Sequence, residues 1–131
     1  MILDKKFENQ LLNVSSKAAL AAYSFVGKKN KIIADKAAVD AMRSELNKID
    51  MKGQIVIGEG ELDKAPMLYI GETVGTNNGP ELDIAVDPLE GTNFAANNLP
   101  GALSVIAISS KSNLFNAPET YMNKILSLIH I

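Results

Sequence analysis

The sequence contains no cysteine and no tryptophan, and its single histidine, His130, is the residue before the last. The absence of cysteine excludes disulfide scaffolds, thiolate zinc sites and cysteine nucleophiles. One histidine at this position is a poor basis for a Ser-His-Asp triad or a multi-histidine metal site. Any demanding chemistry must therefore use carboxylates, hydroxyls, amines and the metal ions that such groups bind.

The sequence also lacks a large excess of charge of one sign and a long apolar run. Thirteen Lys and Arg residues stand against fifteen Asp and Glu residues, and the net charge of −2 argues against a sequence-independent nucleic-acid binder. No apolar stretch approaches the ~20 residues of a membrane span, and residues 1–10 lack the apolar run of a signal peptide. We therefore expect a cytoplasmic protein without nucleic-acid or membrane partners.

The apolar pattern predicts two helices followed by four strands. Apolar residues recur at helical spacing over residues 7–26 and 34–49. Short apolar runs rich in β-branched residues predict strands over residues 54–58, 66–71, 82–86 and 102–108, the third ending at Asp87-Pro88. Because the helices come first and the strands follow as a group, we predict an α+β fold with helices packed on a mostly antiparallel sheet.

Acidic residues follow two of these predicted strands, over residues 58–63 and 87–92. In the second segment, Pro88 fixes one backbone angle and Gly91 permits an unusual one, so the chain should turn tightly there. Asp87 and Glu90 can then point toward one centre. Converging oxygen donors of this kind suit Mg²⁺ or Mn²⁺.

Acids beside glycine at strand ends are usually only solvated turn residues. That is our prediction for Glu61 and Glu72, and it would also be the better interpretation of Glu59 taken alone. The six-residue pattern Asp87-Pro88-Leu89-Glu90-Gly91-Thr92 is more specific, and at the end of a strand it favours a function.

This pattern is similar to the Asp-Pro-(Ile/Leu)-(Asp/Glu)-Gly-Thr signature of the lithium-sensitive, metal-dependent sugar and inositol phosphatases. The chain resembles the class II fructose-1,6-bisphosphatase family more narrowly. This resemblance extends from about residue 7 to about residue 125 as collinear blocks, which include residues 30–31, 34–39, 55–61, 65–71 and 114–122. The resemblance implies the layered α/β sandwich of the sugar phosphatases, here truncated.

The resemblance also implies two divalent ions, Mn²⁺ or Mg²⁺. Four residues match metal-binding positions of the family: Asp35, Glu59, Asp87 and Glu90. Two ions can clamp a phosphate, activate water and stabilise the leaving alkoxide, so neither cysteine nor histidine is needed.

Further positions match residues with catalytic or substrate-binding roles. Thr92 matches the threonine that helps to activate the attacking water, and Lys31 and Asp63 match positions that support activity. The matches to the sugar-binding positions are Glu90, Gly91, Thr92 and Tyr121. Lys31 is also consistent with an ordinary surface lysine, and Tyr121 with a core or helix-surface tyrosine.

Family members continue far beyond this length and form homo-oligomers, so the resemblance implies that residues 1–125 are an incomplete amino-terminal metal-binding domain. The implied reaction removes the 1-phosphate of fructose 1,6-bisphosphate in gluconeogenesis, with sedoheptulose 1,7-bisphosphate as a second candidate substrate. Two alternatives stay open: a phosphatase acting on inositol phosphates or a 3′-phosphonucleotide, and an inactive metal- or anion-binding fragment.

Residues 126–131 suggest a non-native tail. One reverse translation of Leu-Ser-Leu-Ile-His-Ile is CTG TCT CTT ATA CAC ATC, which matches the end of a transposase-based sequencing adapter. The alternative is a genuine apolar helix end, and resequencing the locus across codon 126 distinguishes the two.

Overall fold

The computed structural model of the protein describes residues 5–59 and 67–116 and the single positions 123, 125 and 129. Asp63, Tyr121, Glu61 and most of the tail at 126–131 lie outside the described residues, so these predictions stay predictions.

Two long helices open the fold, as predicted. Helix α1 is Lys5–Tyr23 and helix α2 is Lys31–Leu46. Helix α2 begins three residues before the predicted start because the Asn30 side chain caps it, accepting a hydrogen bond from the Ile33 N–H at 3.1 Å. Within the described part of the chain, no helix is both long and apolar enough to cross a bilayer.

Four strands form one sheet: β1 (Lys52–Ile57), β2 (Thr73–Val74), β3 (Glu81–Glu90) and β4 (Leu103–Ser110), with the short helix α3 (Thr92–Ala96) between β3 and β4. The order across the sheet is β2-β1-β3-β4. The β1–β2 and β3–β4 pairs are antiparallel, and β1 runs parallel to β3. The predicted α+β fold with a mostly antiparallel sheet is confirmed, and the parallel pair places the carboxyl ends of β1 and β3 at the same edge.

The strand predicted over residues 66–71 is wrong for its described part, residues 67–71. This segment follows β1, with the Gly71 N–H donating to the Ile55 carbonyl at 2.8 Å and the Ile55 N–H donating to the Glu72 carbonyl at 2.9 Å. A turn closed by the Glu72 N–H and the Tyr69 carbonyl at 3.1 Å interrupts the pairing. Regular pairing resumes only at β2.

The predicted end of the third strand at Asp87-Pro88 is wrong, because β3 continues to Glu90. Asp87 pairs with Val105 and Glu90 with Leu103, so three steps along β3 match two along β4. The extra residue is a β-bulge. It accommodates Pro88, which has no N–H to donate to the ladder.

The core lies between one face of the sheet and the two long helices. Fully buried side chains come from α2 (Met42, Leu46) and from the strands (Ile55, Leu82, Ile84). Alanines of α1 and α2 are also buried (Ala18, Ala22, Ala34, Ala38), and such small side chains let packed helices approach closely. On the opposite face, Leu103 and Val105 of β4 are exposed in the described structure.

Candidate active site

The predicted carboxylates gather at the edge where the parallel strands β1 and β3 end. Asp87 and Glu90 lie at the carboxyl end of β3, and Glu59 follows the last residue of β1 by two positions. Ile57, the last residue of β1, pairs with Ala85 of β3, so Glu59 leaves β1 at the same edge of the sheet at which β3 ends. The Oε2 atom of Glu59 is buried.

Helix α2 brings Asp35 to the same edge. The loop before α2 is held to α3, because the Gly27 and Lys29 N–H groups donate to the Ala95 and Ala96 carbonyls, each at 2.9 Å. Asp35 lies in the second turn of α2, and its charge acts on Asp87. Lys31 is exposed one turn earlier, and the spacing of four residues places it on the same side of the helix as Asp35.

Burial and the neighbouring acids strongly perturb Asp87. Burial raises the pKa of Asp87 to about 7, together with a hydrogen bond to Glu90 and the negative charges of Glu90 and Asp35, while a backbone hydrogen bond from Leu89 opposes the shift. Burial also raises the pKa of Asp35. The site therefore concentrates negative charge without an equal supply of positive charge from the described residues around it.

The donor chemistry of the site fits a hard divalent cation. The Oδ1 atoms of Asp35 and Asp87 are buried and have no hydrogen-bond partner in the described part of the chain. A cation would supply the interaction that these oxygens lack and would relieve their repulsion. The described residues do not contain three acidic side chains already arranged as a metal cluster. The site therefore suits a divalent cation by its negative charge and its oxygen ligands.

Two glycines shape the backbone around these acids. A Cβ atom at Gly58 would collide with the Leu68 carbonyl oxygen, so β1 can end against residue 68 only with glycine there. Gly91 has a φ of 78°, a left-handed conformation that other residues adopt at a cost, and it turns the chain from β3 into α3. Thr92 is the first residue of α3 and is half-buried.

The prediction that Glu72 is a solvated turn residue is wrong. Its carboxylate forms a two-pronged ion pair with Arg43 of α2, with Nε–Oε1 at 2.6 Å and Nη2–Oε2 at 3.2 Å. The partner lies 29 residues away in the sequence, so no local pattern could reveal it. The same is true of Asp83, a buried acid on β3 whose Oδ2 accepts a hydrogen bond from the Leu114 N–H at 3.4 Å.

The raised pKa of Asp87 predicts how the stability of the metal-free protein depends on pH. Since the folded state holds the Asp87 proton more tightly than the unfolded state, this contribution is complete below the ordinary pKa of 3.8 and is lost as pH rises through about 7. We expect the melting temperature in a chelating buffer to fall over this range, and the fall to be smaller in Asp87→Asn. An equal fall in the variant would contradict the assignment to Asp87.

The fold and the site define a class before any relative is considered: an α+β protein with buried carboxylate oxygens of Glu59 and Asp87 where two parallel strands end. A solved structure described as an extragenic suppressor from Pyrococcus furiosus shares this fold, with a TM-score of 0.51, 16% identity, and coverage of 82% of this chain and 41% of that chain.

Sequence comparison identifies the family. The family described as bacterial fructose-1,6-bisphosphatase, glpX-encoded, matches residues 5–128. This chain belongs to that family.

Curated relatives are much longer than the matched region. A Prochlorococcus marinus protein named D-fructose 1,6-bisphosphatase class 2/sedoheptulose 1,7-bisphosphatase is 57% identical over 116 residues, which cover 88% of this chain and 35% of the relative. A Synechococcus protein with the same name is 52% identical over 123 residues, which cover 94% of this chain and 37% of the relative. The chain therefore spans about a third of the length of these relatives.

Proposed function

We propose that this chain is the amino-terminal, metal-binding part of a phosphoric monoester hydrolase that converts fructose 1,6-bisphosphate to fructose 6-phosphate in gluconeogenesis. The observation that carries the proposal is the hydrogen-bonded pair of carboxyl groups on half-buried Asp87 and exposed Glu90, which lies within the charge of Asp35 where β3 ends. Membership of the family and the names of the curated relatives support the same reaction. In this proposal residues 1–125 are native and incomplete, and residues 126–131 are not native.

Four carboxylates would hold two divalent ions, Mn²⁺ or Mg²⁺, with Asp35 and Glu59 at one and Asp87 and Glu90 at the other. When bound, such ions neutralise phosphate charge and lower the pKa of bound water. Without a cation, the raised pKa of Asp87 leaves this carboxyl group only partly ionised near neutral pH, and any proton that it carries must leave as a cation binds.

The remaining residues orient the reactants. The Thr92 hydroxyl, at the start of α3, would accept a hydrogen bond from the attacking water and direct its oxygen toward phosphorus. As the water oxygen bonds to phosphorus, the bond from phosphorus to the sugar oxygen would break. The water gives up one proton and the leaving sugar oxygen takes up one, so the products are the sugar alcohol and inorganic phosphate. Glu90, Gly91, Thr92 and Tyr121 would hold the phosphorylated sugar. Lys31 would attract the phosphate, and Asp63 would support the site.

We further propose a cytoplasmic enzyme that forms a homo-oligomer when full length, with no nucleic-acid or membrane partner. The net charge of −2 supports the absence of a nucleic-acid partner. Exposed apolar side chains on α1 and after α3, including Leu20, Tyr23 and Leu99, support contacts with further protein surface.

A substrate panel tests the proposed reaction. We expect the purified full-length protein to release phosphate from fructose 1,6-bisphosphate in the presence of Mn²⁺, with slower release from inositol monophosphate and a 3′-phosphonucleotide. Faster release from either of the last two would replace the proposed substrate. The 131-residue chain assayed in parallel should release little or no phosphate, and full turnover by it would contradict the need for further residues.

A further inference from the structure

The Arg43 guanidinium binds Glu72 and Met67 in a partly buried position. It binds both oxygens of Glu72, and its Nη2 atom also donates to the Met67 carbonyl oxygen at 2.6 Å. The side chains of Arg43 and Glu72 are 26% and 11% exposed. A two-pronged arginine–carboxylate pair fixes orientation as well as distance, and the shielding from water makes it stronger than a surface pair. The pair therefore joins α2 rigidly to both ends of the segment 67–72.

This segment in turn supports Glu59. The Glu59 N–H donates to the Leu68 carbonyl at 2.8 Å, and the Leu68 side chain is fully buried. Glu72 also accepts a hydrogen bond from the Tyr69 N–H at 3.3 Å, which stiffens the turn between the two anchored ends. The absence of a Cβ atom at Gly58 allows the close contact with residue 68. The position of Glu59 thus depends on a segment that Arg43 holds.

We propose that Arg43 and Glu72 are positioning residues that set Glu59 relative to Asp35 and thereby tune the affinity of the site for its divalent cation. Helix α2 carries both Asp35 and Arg43, eight residues or about 12 Å apart along the helix axis. Near its start, α2 places the Asp35 carboxylate in the site. Near its end, Arg43 binds the segment 67–72, to which Glu59 is hydrogen-bonded. The proposal rests on the proposed metal-dependent function.

The test uses the full-length protein and two conservative variants, Arg43→Lys and Glu72→Gln. Lysine keeps the charge but lacks the planar fork that binds Glu72 and Met67 together. We expect Mn²⁺ to dissociate about 10-fold more readily in both variants, as outer-shell changes at metal sites typically do. Titration of the electron paramagnetic resonance signal of free Mn²⁺ measures this affinity. In the metal-free protein, the Glu59 amide should exchange its hydrogen faster.

A matched control is the Glu81–Lys111 ion pair at the other end of β3. It has a Nζ–Oε2 distance of 2.7 Å, and both of its side chains are more than half exposed. Glu81→Gln and Lys111→Met should leave Mn²⁺ affinity and Glu59 exchange unchanged.

Two outcomes overturn the proposal. One is a lower melting temperature in Arg43→Lys with unchanged Mn²⁺ affinity and unchanged Glu59 exchange, which would assign the pair a purely structural role. The other is an equal loss of affinity in the control variants. Failure of the proposed function would give a different result. A wild-type protein that binds Mn²⁺ but hydrolyses no sugar bisphosphate would contradict the proposed reaction, and Mn²⁺ affinity and Glu59 exchange would still test the positioning role.

Discussion

Asp87→Ala in the full-length protein should lower Mn²⁺-dependent phosphate release from fructose 1,6-bisphosphate by about 10³-fold or more. A divalent ion contributes several kcal/mol of transition-state stabilisation, and about 4 kcal/mol corresponds to about 10³-fold in rate. Asp87 is hydrogen-bonded to Glu90 and lies within the charge of Asp35, so in the proposed site its loss removes a metal ligand. Glu90→Ala should have an effect of similar size.

The stability of the same variant separates a lost ligand from a damaged fold. Because burial and neighbouring charge raise the pKa of Asp87, an ionised Asp87 is unfavourable in the metal-free protein above about pH 7. Asp87→Ala should therefore melt no lower than wild type in a chelating buffer at alkaline pH. Glu81→Gln, an exposed change on the same strand, is the matched control and should retain activity. Near wild-type turnover by Asp87→Ala would refute the assigned site.

Leu46→Ala should lower the free energy of unfolding by about 3 kcal/mol, a typical cost of truncating a fully buried leucine when the cavity is only partly refilled. Leu46 has no exposed surface and is the last residue of α2, the helix that carries Asp35 and Arg43. A loss of this size is a large fraction of the total stability of an ordinary domain.

Leu12→Ala provides the matched comparison, since it removes the same atoms from a helix at a site that is 66% exposed. Its cost should stay below about 0.5 kcal/mol. Chemical denaturation of the metal-free protein, followed by circular dichroism, measures both. Equal losses in the two variants would contradict the described core.

The helices could be predicted from the sequence because their buried residues recur with the helical period. The start of α2 could not be placed by this pattern, since Ile32 and Ile33 are exposed and the first buried side chain is Ala34. The Asn30 cap, rather than burial, begins the helix. Strand β2 was missed because two residues are too few to show a periodic pattern.

The site was predictable only in its local part. Asp87 and Glu90 stand within four residues of each other, so the β-bulge between them is enough to bring them together. The approach of Asp35 depends instead on hydrogen bonds from residues 27 and 29 to α3, which no single segment encodes. The burial of Glu72 likewise depends on a distant arginine. Long-range packing, rather than local composition, accounts for what the sequence could not indicate.

The β-bulge at Pro88 determines which side of the sheet the two acids share. In a regular strand, residues three apart point to opposite faces, so Asp87 and Glu90 would be separated by the sheet itself. Because of the extra residue, Asp87 and Glu90 lie opposite Val105 and Leu103, which are two residues apart on β4. Residues two apart in a strand point to the same face, so the two acids share one face of the sheet. Pro88 also prevents the strand from sliding into a regular register, because it lacks the N–H that regular pairing would use. The bulge at Pro88 therefore both fixes the alignment of β3 with β4 and places the two acids on the same face of the sheet.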